Sequence, residues 1–141
     1  MLSVIIVNFN SKYYTEACIE LVLSQNRTDY EIILIDNASS DNNAEFVRRR
    51  FSEVNVVENK SNRGFSGGVN NDIRISKGDY ILTLNNDTIM EKGSITEMKK
   101  VMEHDPAIGM CASKMVFPDG RINATGIWIS RSGAVWDRGY V

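Results

Sequence analysis

Four short clusters in this 141-residue chain carry residue types that do chemistry: Asn8-Phe9-Asn10, Asp36-Asn37, Asn62-Arg63-Gly64-Phe65-Ser66-Gly67-Gly68 and Asn85-Asn86-Asp87. A diphosphate needs its charge neutralised, and Mg²⁺ or Mn²⁺ does this with one or two protein carboxylates, the phosphates and water. Asp87, flanked by amides, matches that economy; an Asn-Asp turn or Asx cap matches the same residues. Asp36 can accept hydrogen bonds from a base or a ribose, or cap the next helix. Ser39, Ser40 and Asp41 offer the same capping chemistry. Phe9 can stack on a flat ring or serve as a core or staple aromatic. Arg63 has a fork suited to phosphates, or is an exposed loop side chain. Gly64, Gly67 and Gly68 permit close backbone approach or a flexible turn.

The elements that position these clusters alternate. "LSVIIVN" (2–8) and "YEIILID" (30–36) are continuous apolar runs, the pattern of strands covered on both faces. Between them, after Asn10 or Ser11 as cap, Tyr14, Cys18, Leu21 and Val22 share one helical face. Ala44, Phe46, Val47 and Phe51 suggest a short helix, and "VNVVE" (54–58) a third strand. The segment "NKSNRGFSGGVNN" reads as a Gly- and Asn-rich loop. Val69 and Ile73 place a helix after it, running to Lys77 and stopped by Gly78. "DYILTL" is a fourth strand. Ser94-x-x-Glu97 reads as a capping box ahead of the apolar stripe Ile95, Met98, Val101 and Met102. "IGMCASKMVF" suggests a fifth strand, Asp119-Gly120 a turn, and "INATGIWIS" and "GAVWDRGYV" shorter β segments around Gly133. The order β-α-β-α-β-α-β-α-β predicts an α/β fold, a doubly wound parallel sheet with β-rich material at its end. Residues 1–141 read as a single, cut-short domain. In such sheets ligands bind outside the carboxyl ends of the strands. All four polar clusters fall there, and this coincidence argues for a site over four separate turns.

Other classes are disfavoured. A net charge of -2 gives no support for nucleic-acid binding by bulk electrostatics. "NFNSKYY" after the first strand holds no glycine of a dinucleotide fingerprint, and no Walker motif occurs. Cys18 and Cys111 have no CxxC partner and read as buried, reduced thiols. Five N-x-S/T triplets, at Asn26, Asn37, Asn59, Asn86 and Asn123, lack the export signal that would make them glycan acceptors. No leader and no transmembrane run is visible, so the expected setting is cytoplasmic, including the inner face of a membrane. His104 suggests no chemistry.

"SVIIVNFNS", "IDNASSD", "NRGFSGGVN" and "LNNDT", in that order and spacing, resemble the N-terminal, donor-binding part of a family 2 glycosyltransferase of the GT-A fold. The rhamnosyltransferase-like branch is nearest in flavour, and "DGRINATG" and "WDRG" are similar to segments from the middle of such enzymes. The resemblance implies a Rossmann-like, mostly parallel sheet flanked by helices. It also implies inverting transfer of a sugar from a nucleotide-diphosphate donor to a glycan or lipid-linked acceptor. Asp87 would hold Mg²⁺ or Mn²⁺, and Asn85 or Asn86 would reach the ribose or the metal's surroundings. Asp36 would contact the base, with Val7 through its backbone and Phe9 by stacking; Arg63 and Gly64 would lie near the nucleotide. Asn85 departs from the family's D-x-D pattern and lowers the negative charge of the site. The family's catalytic base is an acid well downstream of the metal motif, expected beyond Val141, and Asp119 and Asp137 read as structural. Two readings follow: the donor-binding half of a transferase, or a module that binds nucleotide or nucleotide-sugar without turnover. Apolar surface left uncovered by a cut-short domain is compatible with a homo-oligomer.

Overall fold

The computed structural model describes residues 1–25 and 29–138, so the Asn26 triplet and the last residues of "WDRG" and "GAVWDRGYV" lie outside the described residues. It divides into two compact units, Met1–Lys92 and Gly93–Val141.

The first unit is a four-stranded sheet of β1 (Leu2–Asn8), β2 (Tyr30–Asp36), β3 (Val54–Glu58) and β4 (Tyr80–Asn85). All pairings are parallel and the strand order is β3-β2-β1-β4. Every residue of β1 is buried, as its uninterrupted apolar run requires of a strand covered on both faces. Alternation along the strands sorts the side chains. Ile5, Val7, Ile33 and Ile35 form a buried cluster with Val69 of α3 (Gly64–Asp72). Asn8 belongs to the opposite face, where it meets Thr15 of α1 (Lys12–Leu23). Asn43, at the start of α2 (Asn43–Arg50), bonds to the same threonine.

The buried face of α1 consists of Thr15, Cys18, Ile19 and Val22. Tyr14, expected on that face, is exposed because the packed stripe is rotated toward Thr15, whose hydroxyl serves the polar network of the sheet edge. The glycine-rich segment is helical: α3 begins at Gly64, and a 3₁₀ turn (Ile73–Ile75) follows it. The helix therefore starts earlier and ends earlier than the apolar spacing suggested. Gly78 does not stop it. A Cβ at Gly78 would lie 2.5 Å from the Ser3 amide nitrogen and 2.8 Å from the Leu2 carbonyl carbon. Its missing side chain lets the chain cross the start of β1, and its amide donates to Ser3 Oγ at 2.9 Å.

In the second unit, α4 (Ser94–His104) is capped by Gly93 in a left-handed conformation, with φ of +87°. Ser94 is thus the first helical residue, and the expected capping box does not form with Ser94 as cap; the Glu97 amide bonds to the Gly93 carbonyl at 3.0 Å. The long fifth strand is reduced to β5 (Met115–Val116), paired antiparallel with β6 (Ile122–Ala124) across the Asp119-Gly120 turn. Gly109 and Pro106 precede it in irregular backbone, so the apolar run does not extend as a strand. A second hairpin joins β7 (Ile127–Ile129) to β8 (Val135–Asp137), and Gly133 sits in its turn at φ of +84°. Cys18 is buried and Cys111 half-buried, both as free thiols. No helix among the described residues is long and apolar enough to cross a membrane.

Candidate functional site

The strand ends finish level with one another. Asn8 stands opposite Asp36, and Val7 opposite Asn85, so the three strands leave the sheet within one residue of the same height. Buried polar side chains at this edge need partners, and they find them in one another. Asn8 is 1% exposed. Its amide nitrogen donates to Asp36 Oδ1 at 2.8 Å and to Ser39 Oγ at 3.0 Å. Its Oδ1 accepts from Thr15 Oγ1 at 2.9 Å and from Asn86 Nδ2 at 2.9 Å. Asn86 Nδ2 also reaches Thr15 Oγ1 at 3.0 Å, and Asn43 Nδ2 donates to that hydroxyl at 3.1 Å. Asn43 Oδ1 is the one buried side-chain oxygen or nitrogen among the described residues with no partner.

This network decides how the sequence-selected residues are presented. Asp36 is 2% exposed, with Oδ1 bonded to Asn8 and Oδ2 to the Ser39 amide at 3.0 Å. It is a fixed, buried carboxylate and not a freely presented acceptor. Beside it, on the α2 side, lies a cavity of about 310 Å³ bounded also by Asn43, Arg48 and Glu58. Asn37, the next residue, bonds to the α3 side: Nδ2 donates to the Gly64 carbonyl at 3.0 Å, and Oδ1 accepts from Asn59 at 2.8 Å. Asn86 turns its amide nitrogen inward, while Asn85 and Asp87 on either side are exposed. Phe9 is 47% exposed next to buried Asn8, and Val7 is buried beneath it. Arg63 is exposed at the cap of α3, and Gly64 follows at φ of +67°, where a side chain would be strained.

The structure therefore brings Val7, Phe9, Asp36, Asn85, Asn86 and Asp87 to one edge, and Asn37 ties Gly64 to it. Asn8 and Asn37 fall within the polar clusters read from the sequence but carry no individual role there, and Thr15 and Asn43 fall in none of them. The available signal was an asparagine closing an otherwise apolar buried strand, since a buried amide demands partners.

Cys18 lies against this edge, its Sγ 3.8 Å from the Asn85 carbonyl oxygen. Burial, and then the negative charge of Asp87, push its thiol up to about 12. Among the described residues no group of three or more His, Cys, Asp or Glu side chains is placed to hold a metal ion. Asp87 offers one exposed hard-oxygen donor. That fits an ion that completes its shell with diphosphate oxygens and water, and does not fit an all-protein cage.

The model of the glycosyl transferase family 2 matches residues 3–134. The chain belongs to this family. A glycosyltransferase of Haemophilus influenzae is 30% identical over 109 residues, which are 77% of this chain and 36% of that protein. The poly(ribitol-phosphate) beta-glucosyltransferase of Bacillus spizizenii is 33% identical over 92 residues, 61% of this chain and 14% of that protein. This family 2 chain thus spans little more than a third, or less, of the curated relatives it matches. Its fold is that of the GT-A glycosyltransferases. A mannosyltransferase of Pyrobaculum calidifontis, solved with GDP-Man and Mn²⁺, superposes with a TM-score of 0.72 at 21% identity, covering 79% of this chain and 35% of that one.

Proposed function

We propose that this chain holds a nucleotide-diphosphate-sugar donor, for inverting transfer of the sugar to an acceptor hydroxyl in glycan or polysaccharide synthesis. The observation that carries the proposal is the exposure of Asp87 at a sheet edge that Asn8 ties to Asp36 and Asn86. Phe9, half exposed at the end of β1, stacks on the base. The backbone at Val7 and the end of β2 frame it. Asp36, buried and bonded to the protein through both oxygens, fixes the end of β2 beside the base. Arg63 and Gly64 face the nucleotide at the start of α3. Asn85 reaches the ribose or the metal's surroundings, and the inward Asn86 holds the turn. Asp87 is the residue that would hold Mg²⁺ or Mn²⁺, which when bound supplies charge neutralisation for the departing diphosphate. In the transfer, the bond from the anomeric carbon to the diphosphate oxygen breaks. A bond to the acceptor oxygen forms on the opposite face, and a carboxylate base takes the acceptor's proton.

A second reading, donor binding without turnover by this chain alone, is favoured by the state of Asp119. Its carboxyl is held below the ordinary range by the Arg121 amide and then by the Arg121 guanidinium, at 2.7 Å. That suits a turn and not a general base. The relevant test is calorimetric titration of UDP, GDP and dTDP into the chain, with and without Mn²⁺, on wild type and Asp87→Ala. We expect metal-enhanced binding of at least one nucleotide, lost in the variant. Absence of binding, or binding indifferent to both the metal and the substitution, would sink the assignment.

A further inference from the structure

Asn8 uses its whole hydrogen-bonding capacity in four directions, toward Asp36, Ser39, Thr15 and Asn86. The two donors point to β2 and the loop after it, and the acceptor points to α1 and the loop after β4. One planar amide therefore spans the distance from the end of β2 to the residue before Asp87. Asn8 alone among the network's side chains bonds both to the end of β2 and to the loop after β4; Thr15 contributes from α1 and Asn43 from α2. Being 1% exposed, Asn8 cannot itself touch a ligand bound at the edge. Its polarity is also directional. An isosteric carboxylate would face the Asp36 carboxylate, and an isosteric hydrocarbon would leave Asn86 without its 2.9 Å acceptor.

We propose that Asn8 is a positioning residue that couples the base end of the donor site to its metal end, by holding the Asn86–Asp87 turn in fixed register with the end of β2. The coupling rests on the donor-binding reading above. It means that base and diphosphate are recognised jointly, through a group that contacts neither. Hydrogen-bonded partners behind a metal-binding residue change metal affinity by about 10- to 100-fold when removed, because the first contact loses its orientation.

The test is a ratio that a merely structural role would not move: the nucleoside-diphosphate Kd without Mn²⁺ divided by that with Mn²⁺. It is measured on the 1–141 chain for wild type, Asn8→Ala, Asn86→Ala, Asp87→Ala and the double variant Asn8→Ala/Asp87→Ala. Asn86 is only half-buried, so its variant keeps the test available where Asn8→Ala fails to fold. The expected result is a fall of about tenfold in the ratio for Asn8→Ala and Asn86→Ala, with Asn8→Ala adding nothing to the ratio once Asp87 is gone. If wild type shows metal-enhanced binding and folded Asn8→Ala and Asn86→Ala keep the full ratio, the coupling is wrong and the donor site stands. Where Asn8→Ala is unfolded, a full ratio in Asn86→Ala alone overturns the coupling. If wild type shows no metal-enhanced binding of any of the three nucleotides, both proposals fall.

Discussion

Asn8 and Asp36, the last residues of two neighbouring parallel strands, face each other in register and share a 2.8 Å hydrogen bond in a site almost closed to water. A neutral amide beside a buried carboxylate satisfies it without adding charge. Asn8→Asp keeps the shape and reverses that logic, setting two carboxylates against each other where water cannot screen them. We expect a loss on the order of 3 kcal/mol, read from urea unfolding at neutral pH. Asn10→Asp is the control: Asn10 is exposed, and its Oδ1 accepts from the Ser40 amide at 2.8 Å and from the Ser40 hydroxyl at 3.3 Å, both of which aspartate preserves. Its change should stay within about 0.5 kcal/mol. Equal losses for the two variants would contradict the network as described.

Gly78→Ala places a methyl group against the backbone of β1, 2.5 Å from the Ser3 nitrogen. Backbone at the start of a fully buried, paired strand cannot retreat cheaply, so we expect destabilisation of about 1–3 kcal/mol. Gly109→Ala meets nothing within 4 Å and should be close to neutral. Paired thermal melts compare the two.

How far the sequence reveals the fold depends on how local the cause is. β1 and β2 were legible because burial on both faces leaves a continuous apolar run, and their bounds agree with the structure. α3 was not, since Gly64, Gly67 and Gly68 are poor helix formers by propensity. Tertiary packing of Val69 on Ile5, Val7, Ile33 and Ile35 overrides that preference. Gly78 looked like a helix stop because its real reason, the nearness of Ser3, lies 75 residues away. The site was legible at the level of strand ends. Which face each side chain takes was not: Asp36 and Asn37 are adjacent in sequence, yet they bond to opposite sides of the sheet edge.

Cys18 should resist alkylation in the folded chain at neutral pH, because its thiol is held up to about 12 by burial and by Asp87. The sign for stability follows. The folded state keeps a proton that the unfolded state releases from about its ordinary value of 9.0. The stabilisation is complete below that pH and is lost as pH rises toward 12. Tyr30 contributes with the same sign, raised by burial and then by Glu53. Cys18→Ala should therefore show a shallower, but not flat, loss of stability above pH 9 in urea titrations. Rapid labelling of native Cys18 at neutral pH would refute the environment assigned to it.

Phe9→Ala should separate binding from folding. Its ring is 47% exposed, so thermal stability should change little. Base–aromatic stacking is worth about 1–3 kcal/mol, so nucleotide affinity should fall by about fivefold or more. A lower Tm with unchanged affinity would return Phe9 to a packing role.

The level finish of the strands has an evolutionary corollary. Side chains alternate with a period of two, so one inserted or deleted residue within 3–7 would swap the two faces of everything after it. Asn8 would then point toward α3, and Val7 toward Thr15. A two-residue change would restore the faces but raise the end of β1 above Asp36 and Asn85. The length of β1 is therefore constrained in both parity and amount. Drift in this segment is confined to substitutions, and specificity has room to diversify only in the loops that leave the edge.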